Sequence, residues 1–221
     1  MKLNLSKPIL YLITRGATTE ATTTDSPEYK EIVEQVSAAI SAGIDLIQIR
    51  EKRMTARILF ELTGQSVELV RGTATRVLIN DRADIAAGAG ADGVHLTTRS
   101  IDAATIRRVF GNDFVIGVST HSVDEARLAK EAGADFIVFG PVFDTSSKRE
   151  YGAPVGVEKL SNVTGEVDDF PVLALGGVTM DNFALCLNAG AHGVAGISLF
   201  SQLQAFASIA AQVKNGVRNE D

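Results

Sequence analysis

The sequence has few of the residues that cross-link a protein or carry it through a membrane. Cysteine occurs once in 221 residues, as Cys186, so no disulfide bond can form within the chain, which is typical of a cytoplasmic protein. No apolar run approaches the ~18 residues that a transmembrane helix needs. The apolar stretch 8–13 is too short for the core of a signal peptide. We therefore expect a cytoplasmic protein without a membrane segment.

Positively charged residues are fewer than negatively charged ones. The chain carries 21 Lys and Arg against 27 Asp and Glu, a net charge of −6 at pH 7. This balance argues against general nucleic-acid binding, whereas a small anionic substrate needs only a local group of cations. The contents of 45% hydrophobic and 22% charged residues are ordinary for a globular protein. We expect small-molecule partners, with no nucleic acid and no membrane, and the sequence leaves a homo-oligomer open.

What the chain does contain is a recurring phrase. Four segments run Ala-Gly-(Ala or Ile)-(Asp or His), and each leads into an apolar stretch: 42–45, 89–92, 132–135 and 189–192. Glycine in this position suits the left-handed turn just beyond a helix, and a short apolar run without alternation suits a buried parallel strand. The phrase therefore predicts repeated helix-to-strand turns. For the same reason the match of 88–93 to G-x-G-x-x-G is dismissed, because that segment ends a helix instead of opening one.

Eight strand and helix units fit the length of the chain. The predicted strands are Ile9–Thr14, Asp45–Arg50, Arg76–Asn80, Gly93–Leu96, Phe114–Val118, Phe136–Phe139, Pro171–Leu175 and Val194–Ile197, and the last two helices are predicted at Thr179–Asn188 and Leu199–Lys214. A doubly wound sheet would use the same alternation with fewer strands, so eight units favour an α/β fold, a single-domain (β/α)8 TIM barrel over residues 1–221. In such barrels the active site lies at the carboxyl ends of the strands. The threonine-rich segment 15–27 is long for a strand-to-helix connection and is interpreted as a lid over that site or as a mobile surface loop.

Cations follow the second predicted strand. Gln48, Arg50 and Lys52 share one face because side chains alternate along a strand, and charges at 50 and 52 would be costly against the helices. They are therefore predicted to face the barrel mouth, where two cations suit a phosphate or diphosphate. A salt bridge at the rim with Glu51 or another carboxylate is the alternative.

Polar side chains also follow the third and fifth strands. Asp81, next to Asn80, is a natural ligand for Mg²⁺, which takes one or two carboxylates together with substrate phosphate oxygens; the alternative is that Asp81 caps the next helix. Ser119 and His121 share one face after strand five. His121 is either a proton carrier or a structural hydrogen-bonding group at a helix start. His95 is expected to be structural.

Two further sets of loops have the composition of anion sites. Thr145, Ser147 and Lys148, after the sixth strand, combine hydroxyls with an ammonium group, although the polarity of an exposed loop explains them equally well. Glycines follow strands seven and eight, where a phosphate monoester could approach backbone N–H groups and a helix N-terminus. The residues of this second set are Gly176, Gly177, Gly196, Ile197 and Ser198.

Seven segments resemble the thiamine-phosphate synthase and thiazole tautomerase (TenI-like) superfamily: QIREK at 48–52, LINDRADIA at 78–86, ADGVHL at 91–96, IGVSTHS at 116–122, FGPVFDTSSK at 139–148, LALGGV at 173–178 and GVAGIS at 193–198. The resemblance covers nearly the whole chain. It implies a barrel enzyme of thiamine biosynthesis, a transferase that joins hydroxymethylpyrimidine diphosphate to thiazole phosphate and releases diphosphate with Mg²⁺.

The resemblance also implies roles for single residues. The pyrimidine diphosphate would meet Gln48, Arg50 and Lys52, and the diphosphate and metal would be served by Asn80 and Asp81. The diphosphate site would be completed by Ser119, Thr145, Ser147 and Lys148. The thiazole phosphate would be held by Gly177, Ile197 and Ser198. As catalytic residues we predict Arg50, Lys52, Ser119, His121 and Lys148.

One segment departs from the synthase pattern. Synthases usually follow the GVHL strand with Gly-Gln-x-Asp, whose aspartate is a second metal ligand, whereas residues 97–100 here are Thr-Thr-Arg-Ser. Ser100 thus replaces the aspartate, Arg99 adds positive charge, and Asp102 is expected to begin a helix. Mg²⁺ binding should therefore be weaker. The lost aspartate also leaves open a thiazole tautomerase that uses His121 as its proton carrier, or a non-catalytic binder of thiamine precursors.

Overall fold

The strands close into a barrel in which every neighbouring pair is parallel. The computed structural model describes residues 7–145 and 154–215, and within them eight strands alternate with eight helices, with β8 pairing back to β1. The strands are Ile9–Ile13 (β1), Leu46–Ile49 (β2), Arg76–Asn80 (β3), Gly93–Leu96 (β4), Val115–Thr120 (β5), Phe136–Phe139 (β6), Val172–Ala174 (β7) and Gly193–Gly196 (β8). The helices are Pro27–Ser41 (α1), Ala56–Val70 (α2), Ala83–Gly88 (α3), Ala103–Phe110 (α4), Val123–Glu131 (α5), Gly156–Glu166 (α6), Phe183–Asn188 (α7) and Phe206–Asn215 (α8). The predicted single-domain (β/α)8 barrel is confirmed. No helix in these residues has the length and apolarity needed to cross a membrane.

Two hydrophobic clusters lie on the two sides of the sheet, because successive side chains of a strand point in opposite directions. The larger cluster fills the space between the sheet and the helices. The smaller one lies inside the barrel and consists of Ile9, Tyr11, Ile13, Leu46, Leu78, Val115, Phe136, Val138, Leu173 and Ala195. The interior of the barrel is therefore filled with side chains below its mouth. Side chains that follow these residues toward the carboxyl ends of the strands reach the mouth.

The recurring phrase has the same structure at each copy. Its glycines, Gly43, Gly90, Gly133 and Gly190, have φ values of 69°, 79°, 83° and 88°, as the left-handed turn requires. Its aspartates precede β2, β4 and β6, and each accepts a hydrogen bond from a backbone N–H of the strand before it. The donor and acceptor pairs are Leu10 to Asp45 and Val77 to Asp92, both at 2.8 Å, and Ile116 to Asp135 at 2.7 Å. The phrase thus ties consecutive strands together at the amino-terminal end of the barrel.

The last two helices are shorter than predicted. Helix α7 begins at Phe183, because Asn182 builds a turn ahead of it: its Oδ1 accepts from the Thr179 N–H at 2.8 Å and its Nδ2 donates to the Gly177 carbonyl at 3.0 Å. Helix α8 begins at Phe206, after two 3-10 turns at Ser198–Phe200 and Leu203–Ala205. The tighter turns place Phe200 edge-on against Phe206, with ring centroids 5.6 Å apart.

His192 occupies the aspartate position of the fourth phrase. Its Nδ1 lies 3.5 Å from the Val172 backbone nitrogen, and its buried Nε2 has no hydrogen-bond partner in the described part of the chain. Burial holds the pKa of this imidazole below its usual value, the charge of Lys7 lowers it further, and Asp169 partly offsets the shift.

Acidification should therefore destabilise the barrel through His192. The folded imidazole stays neutral while the unfolded one takes up a proton near about pH 6.5, so its stabilisation is complete above that pH and declines toward the lowered folded pKa. We expect His192→Asn, whose Oδ1 can accept the Val172 N–H, to lose less unfolding free energy than the unaltered protein between about pH 7 and about pH 5 in urea denaturation. Equal losses in the two proteins would contradict this role for His192.

Candidate active site

The barrel mouth gathers buried amides from neighbouring strands. Gln48 and Asn80 follow the interior residues Leu46 and Leu78 at a spacing of two, so both face the interior. Both are buried, and Nε2 of Gln48 has no hydrogen-bond partner within the described residues. A buried amide donor without a partner is uncommon in folded proteins. Its presence at the mouth indicates a place where a ligand could accept a hydrogen bond.

A hydrogen-bonded chain runs beneath these amides. The Tyr11 hydroxyl lies 3.3 Å from His95 Nδ1, and His95 Nε2 lies 2.9 Å from Ser119 Oγ. Burial raises the pKa of Tyr11 well above its usual value, so the phenol stays protonated. The ring of His95 needs the space left by Gly117, where a Cβ atom would lie 2.8 Å from Nδ1 and 2.4 Å from Phe136 Cζ.

His95 was expected to be structural, yet it contacts the predicted catalytic Ser119. The signal that could have found it is the alternation of β4, in which His95 follows the interior-facing Gly93 at a spacing of two. Asn80 pairs with His95 in the strand register, so the two side chains belong to one layer of the interior.

Three cations lie close together at the mouth. Burial lowers the pKa of the Lys52 ammonium, the charges of Arg50 and Arg99 lower it further, and Asp81 acts in the opposite direction. Among the residues that the structure describes, none of the three cations has a carboxylate within ion-pair distance. The alternative of a salt bridge to Glu51 is therefore not realised. The cluster keeps positive charge that an anionic ligand would neutralise.

Asp81 stands at the end of β3 in a left-handed conformation, with φ of 60°. Its Oδ2 accepts from Asn80 Nδ2 at 3.1 Å, and its Oδ1 accepts from Ser100 Oγ. Helix α3 has Arg82 at its N-cap and no side-chain capping bond, so the interpretation of Asp81 as a helix cap is wrong. The carboxylate instead stays close enough to Lys52 to raise the pKa of that ammonium.

The side chain that bonds to Asp81 from the loop after β4 is a hydroxyl, that of Ser100. Ser100 stands where synthases carry the aspartate, and its Oγ also accepts from the Thr97 N–H at 2.6 Å. As expected, Asp102 begins α4, where its Oδ1 accepts from the Thr105 N–H at 2.8 Å. Within 7–145 and 154–215, no three or more His, Cys, Asp or Glu side chains are grouped to hold a metal ion. A metal at Asp81 would take its other ligands from substrate oxygens and water, which suits Mg²⁺.

His121 lies just before α5 and is bonded to that helix. Its Nδ1 lies 3.1 Å from Glu125 Oε2, and the same oxygen accepts from the His121 backbone N–H at 2.7 Å. Ser122 is the N-cap of this helix, and its Oγ accepts from the Glu125 N–H at 3.2 Å. These bonds suit the structural interpretation of His121, and its use as a proton carrier stays a prediction.

The loop after β7 (the seventh loop) has glycines at positions where a side chain would collide with the loop after β6 (the sixth loop). Gly176 and Gly177 have φ values of 97° and 64°, and a Cβ atom at either would lie 2.5 Å from the sixth loop, against Pro141 Cβ or the Asp144 carbonyl oxygen. The sixth and seventh loops therefore pack tightly on one another, and a role for these glycines in holding phosphate stays a prediction. A Cβ atom at Gly196 would lie 2.7 Å from Leu199 Cβ.

Some predicted site residues remain only partly placed. Thr145 is half-buried at the end of the described part of loop six. Ser147 and Lys148 lie outside the described residues. Ile197 packs against the interior cluster, and Ser198 opens the first 3-10 turn.

The threonine-rich segment 15–27 is folded against the barrel. Thr18 and Thr22 are each 2% exposed, and Thr22 Oγ1 donates to Glu28 Oε1 at 2.8 Å. Thr18 donates to Glu51, which was expected only as a salt-bridge partner of the cations. The segment lies beside the loop that follows β2 (loop two) and is held by hydrogen bonds within itself, to Glu28 of α1 and to Glu51.

These features define a (β/α)8 barrel with a cluster of cations at its mouth. A family model described as thiamine monophosphate synthase matches residues 10–200. The chain belongs to that family.

Individual relatives agree with this assignment. The chain is 46% identical over 169 residues to a provisionally named thiamine-phosphate synthase of Geobacter sulfurreducens, covering 76% of this chain and 79% of the relative. It is 36% identical over 194 residues to the thiamine-phosphate synthase of Roseiflexus castenholzii, covering 88% and 85%. The solved thiamine phosphate pyrophosphorylase of Pyrococcus furiosus superposes with a TM-score of 0.75 at 28% identity, covering 93% of this chain and 96% of that one. The comparisons confirm the predicted family and, with it, a transferase of thiamine biosynthesis.

Proposed function

We propose that this chain joins hydroxymethylpyrimidine diphosphate to thiazole phosphate and releases diphosphate. The observation that carries the proposal is the cluster of Arg50, Lys52 and Arg99 around Asp81, at the mouth of a barrel of this family. Three cations without ion-pair partners in the described residues are suited to a substrate with several negative charges.

In this reaction negative charge develops on the leaving diphosphate, which would lie beside these cations. The bond between the pyrimidine methylene carbon and a diphosphate oxygen breaks, and the oxygen keeps the electron pair. The thiazole nitrogen supplies the pair for the new carbon–nitrogen bond. Arg50 and Lys52 stabilise the negative charge that develops on the leaving diphosphate, and such electrostatic stabilisation is commonly a large term in catalysis. An anion beside Lys52 would also favour its charged form.

The buried groups below the cations suit the uncharged part of the substrate. The free Nε2 of Gln48 can donate to a ring nitrogen of the pyrimidine, and Ser119 presents a hydroxyl held by His95. Asp81 and Asn80 would hold Mg²⁺ together with diphosphate oxygens. When bound there, the ion would neutralise charge on the departing group.

The thiazole phosphate is assigned to the remaining loops. Gly177 and the Ile197–Ser198 turn, with Gly176 and Gly196, are proposed to hold it, and Thr145, Ser147 and Lys148 to complete the diphosphate site. Weak Mg²⁺ binding, a cytoplasmic location and a homo-oligomer stay predictions.

The proposal is tested by measuring thiamine phosphate formed by the purified protein from both substrates while Mg²⁺ is titrated. We expect product that depends on both substrates and on the metal, with a high half-saturating Mg²⁺ concentration because Ser100 supplies no carboxylate. Absence of product, together with proton exchange on thiazole phosphate carboxylate alone, would contradict the proposal and favour a tautomerase that uses His121. Tight substrate binding without either reaction would indicate the non-catalytic binder.

A further inference from the structure

Glu51 is a buried carboxylate with an unusual set of partners. It is 3% exposed, although it lies between two cations in sequence. Its Oε1 accepts from the Gly16 N–H at 3.1 Å, and its Oε2 accepts from the Thr18 N–H at 3.2 Å and the Thr18 hydroxyl at 2.8 Å. These three donors come from the segment that follows β1. One side chain of loop two therefore fastens the neighbouring loop.

The fastened segment is in contact with Arg50. Gly16 has φ of 76°, and a Cβ atom there would lie 3.2 Å from the Arg50 carbonyl oxygen and 3.4 Å from Arg50 Nη1. Below it, Thr14 Oγ1 accepts from the Arg50 N–H at 2.8 Å. Thr14 and Gly16 thus lie beside Arg50, and the backbone at Gly16 limits the positions that the guanidinium can take.

The placement of Glu51 also keeps its charge away from an incoming anion. The three donors from Gly16 and Thr18 satisfy the carboxylate, and among the described residues it forms no ion pair with Arg50. A direct ion pair would have neutralised the guanidinium, whereas this arrangement holds it in place and leaves its charge available.

The geometry points to Glu51 as a positioning residue that acts through Arg50. Glu51 fixes Gly16 and Thr18, Gly16 closes one side of the Arg50 side chain, and the guanidinium is held at the barrel mouth. The inference rests on the proposed function in one respect, that Arg50 binds the diphosphate.

The test measures binding of inorganic diphosphate by titration calorimetry to the unaltered protein, Glu51→Gln, Arg50→Gln and the double variant. Glutamine keeps the size of residue 51 but turns an NH₂ group toward a donor, which should release the segment. We expect Glu51→Gln to weaken diphosphate binding about tenfold, since a small misplacement at such a site can cost about a hundredfold. In the Arg50→Gln background the same change should cost less than about twofold, because residues that act through one another are not additive. In turnover, KM for the pyrimidine diphosphate should rise while KM for thiazole phosphate stays unchanged.

Asp92→Asn is the matched control. Asp92 is also a carboxylate that accepts a backbone N–H, from Val77 at 2.8 Å, but it lies at the other end of the barrel. Its variant should melt at a lower temperature and bind diphosphate as the unaltered protein does. If Glu51→Gln does not fold, Thr18→Val removes the 2.8 Å bond to Glu51 and gives the same comparison with a smaller loss.

Two results would overturn the inference: unchanged diphosphate affinity in Glu51→Gln, or losses that multiply in the double variant. Coupled binding losses in a protein that forms no thiamine phosphate would overturn the proposed function and leave the role of Glu51 supported.

Discussion

Asp81→Asn should lower Mg²⁺-dependent formation of thiamine phosphate by about a hundredfold or more, the scale of losing one group that stabilises developing charge. Asparagine removes the charge but keeps the shape, and it tolerates the left-handed backbone of residue 81 better than alanine does. Its amide oxygen can still accept one of the bonds from Asn80 or Ser100. The loss should therefore come from the missing carboxylate and not from a rearranged loop.

The measurement is steady-state turnover over a range of Mg²⁺ concentrations, with calorimetric Mg²⁺ binding in the presence of diphosphate as a second readout. Asp84→Asn is the matched control, because Asp84 is a nearby exposed carboxylate in the first turn of α3 that pairs with Arg82. We expect it to keep normal turnover and metal binding. Turnover and metal binding that are normal in Asp81→Asn would remove Asp81 from the mechanism.

Among the substitutions proposed for this protein, Arg107→Met should lower the free energy of unfolding most. The guanidinium of Arg107, on α4, donates to the carbonyl oxygens of Gly111, Phe114 and Gly133 and to Asp135 Oδ2, at distances between 2.7 and 3.1 Å. Without it, Asp135 keeps the Ile116 N–H but loses its counter-charge, and the other acceptors must find water. Removing one partner of a largely buried pair costs about 3 kcal/mol, or roughly 6 to 12 °C in Tm for a chain of this size.

Arg108→Met provides the control on the same helix. Arg108 is exposed, and its contact with Thr105 Oγ1 is 3.4 Å long, so its loss should change the unfolding free energy by less than about 0.5 kcal/mol. Urea denaturation of both variants gives the comparison. Equal stabilities would show that the Arg107 contacts add nothing beyond what water supplies.

Much of the barrel could be predicted because its signals are local. An apolar run and a glycine in a left-handed turn each act within a few residues, and they placed all eight strands close to their observed ends. Departures occurred where side chains build an alternative local structure. Asn182 replaces the first turn of α7 with its own hydrogen bonds, and two 3-10 turns, which place Phe200 on Phe206, stand where a longer α8 was predicted.

The candidate site could be predicted where side chains alternate along a strand. Period-two spacing was enough to group Gln48 with Arg50 and to suggest the mouth as their location. His95 has the same spacing, but a histidine within an apolar strand resembles a packing residue, and its bonds to Tyr11 and Ser119 are compatible with the structural role expected of it. Glu51 carried no such signal, since its partners lie in another loop.

By itself, the sequence determined the strand and helix units, the family and the cationic character of loop two, because these depend on neighbours in the chain. The tertiary structure alone decided which of these residues act together. Pairing of neighbouring strands places β1 beside β2, so Glu51 can reach Gly16 and Thr18. It also brings Ser119 to His95 and Ser100 to Asp81. Contacts between separate strands and loops depend on the register in which the barrel closes, and no local pattern in the sequence specifies that register.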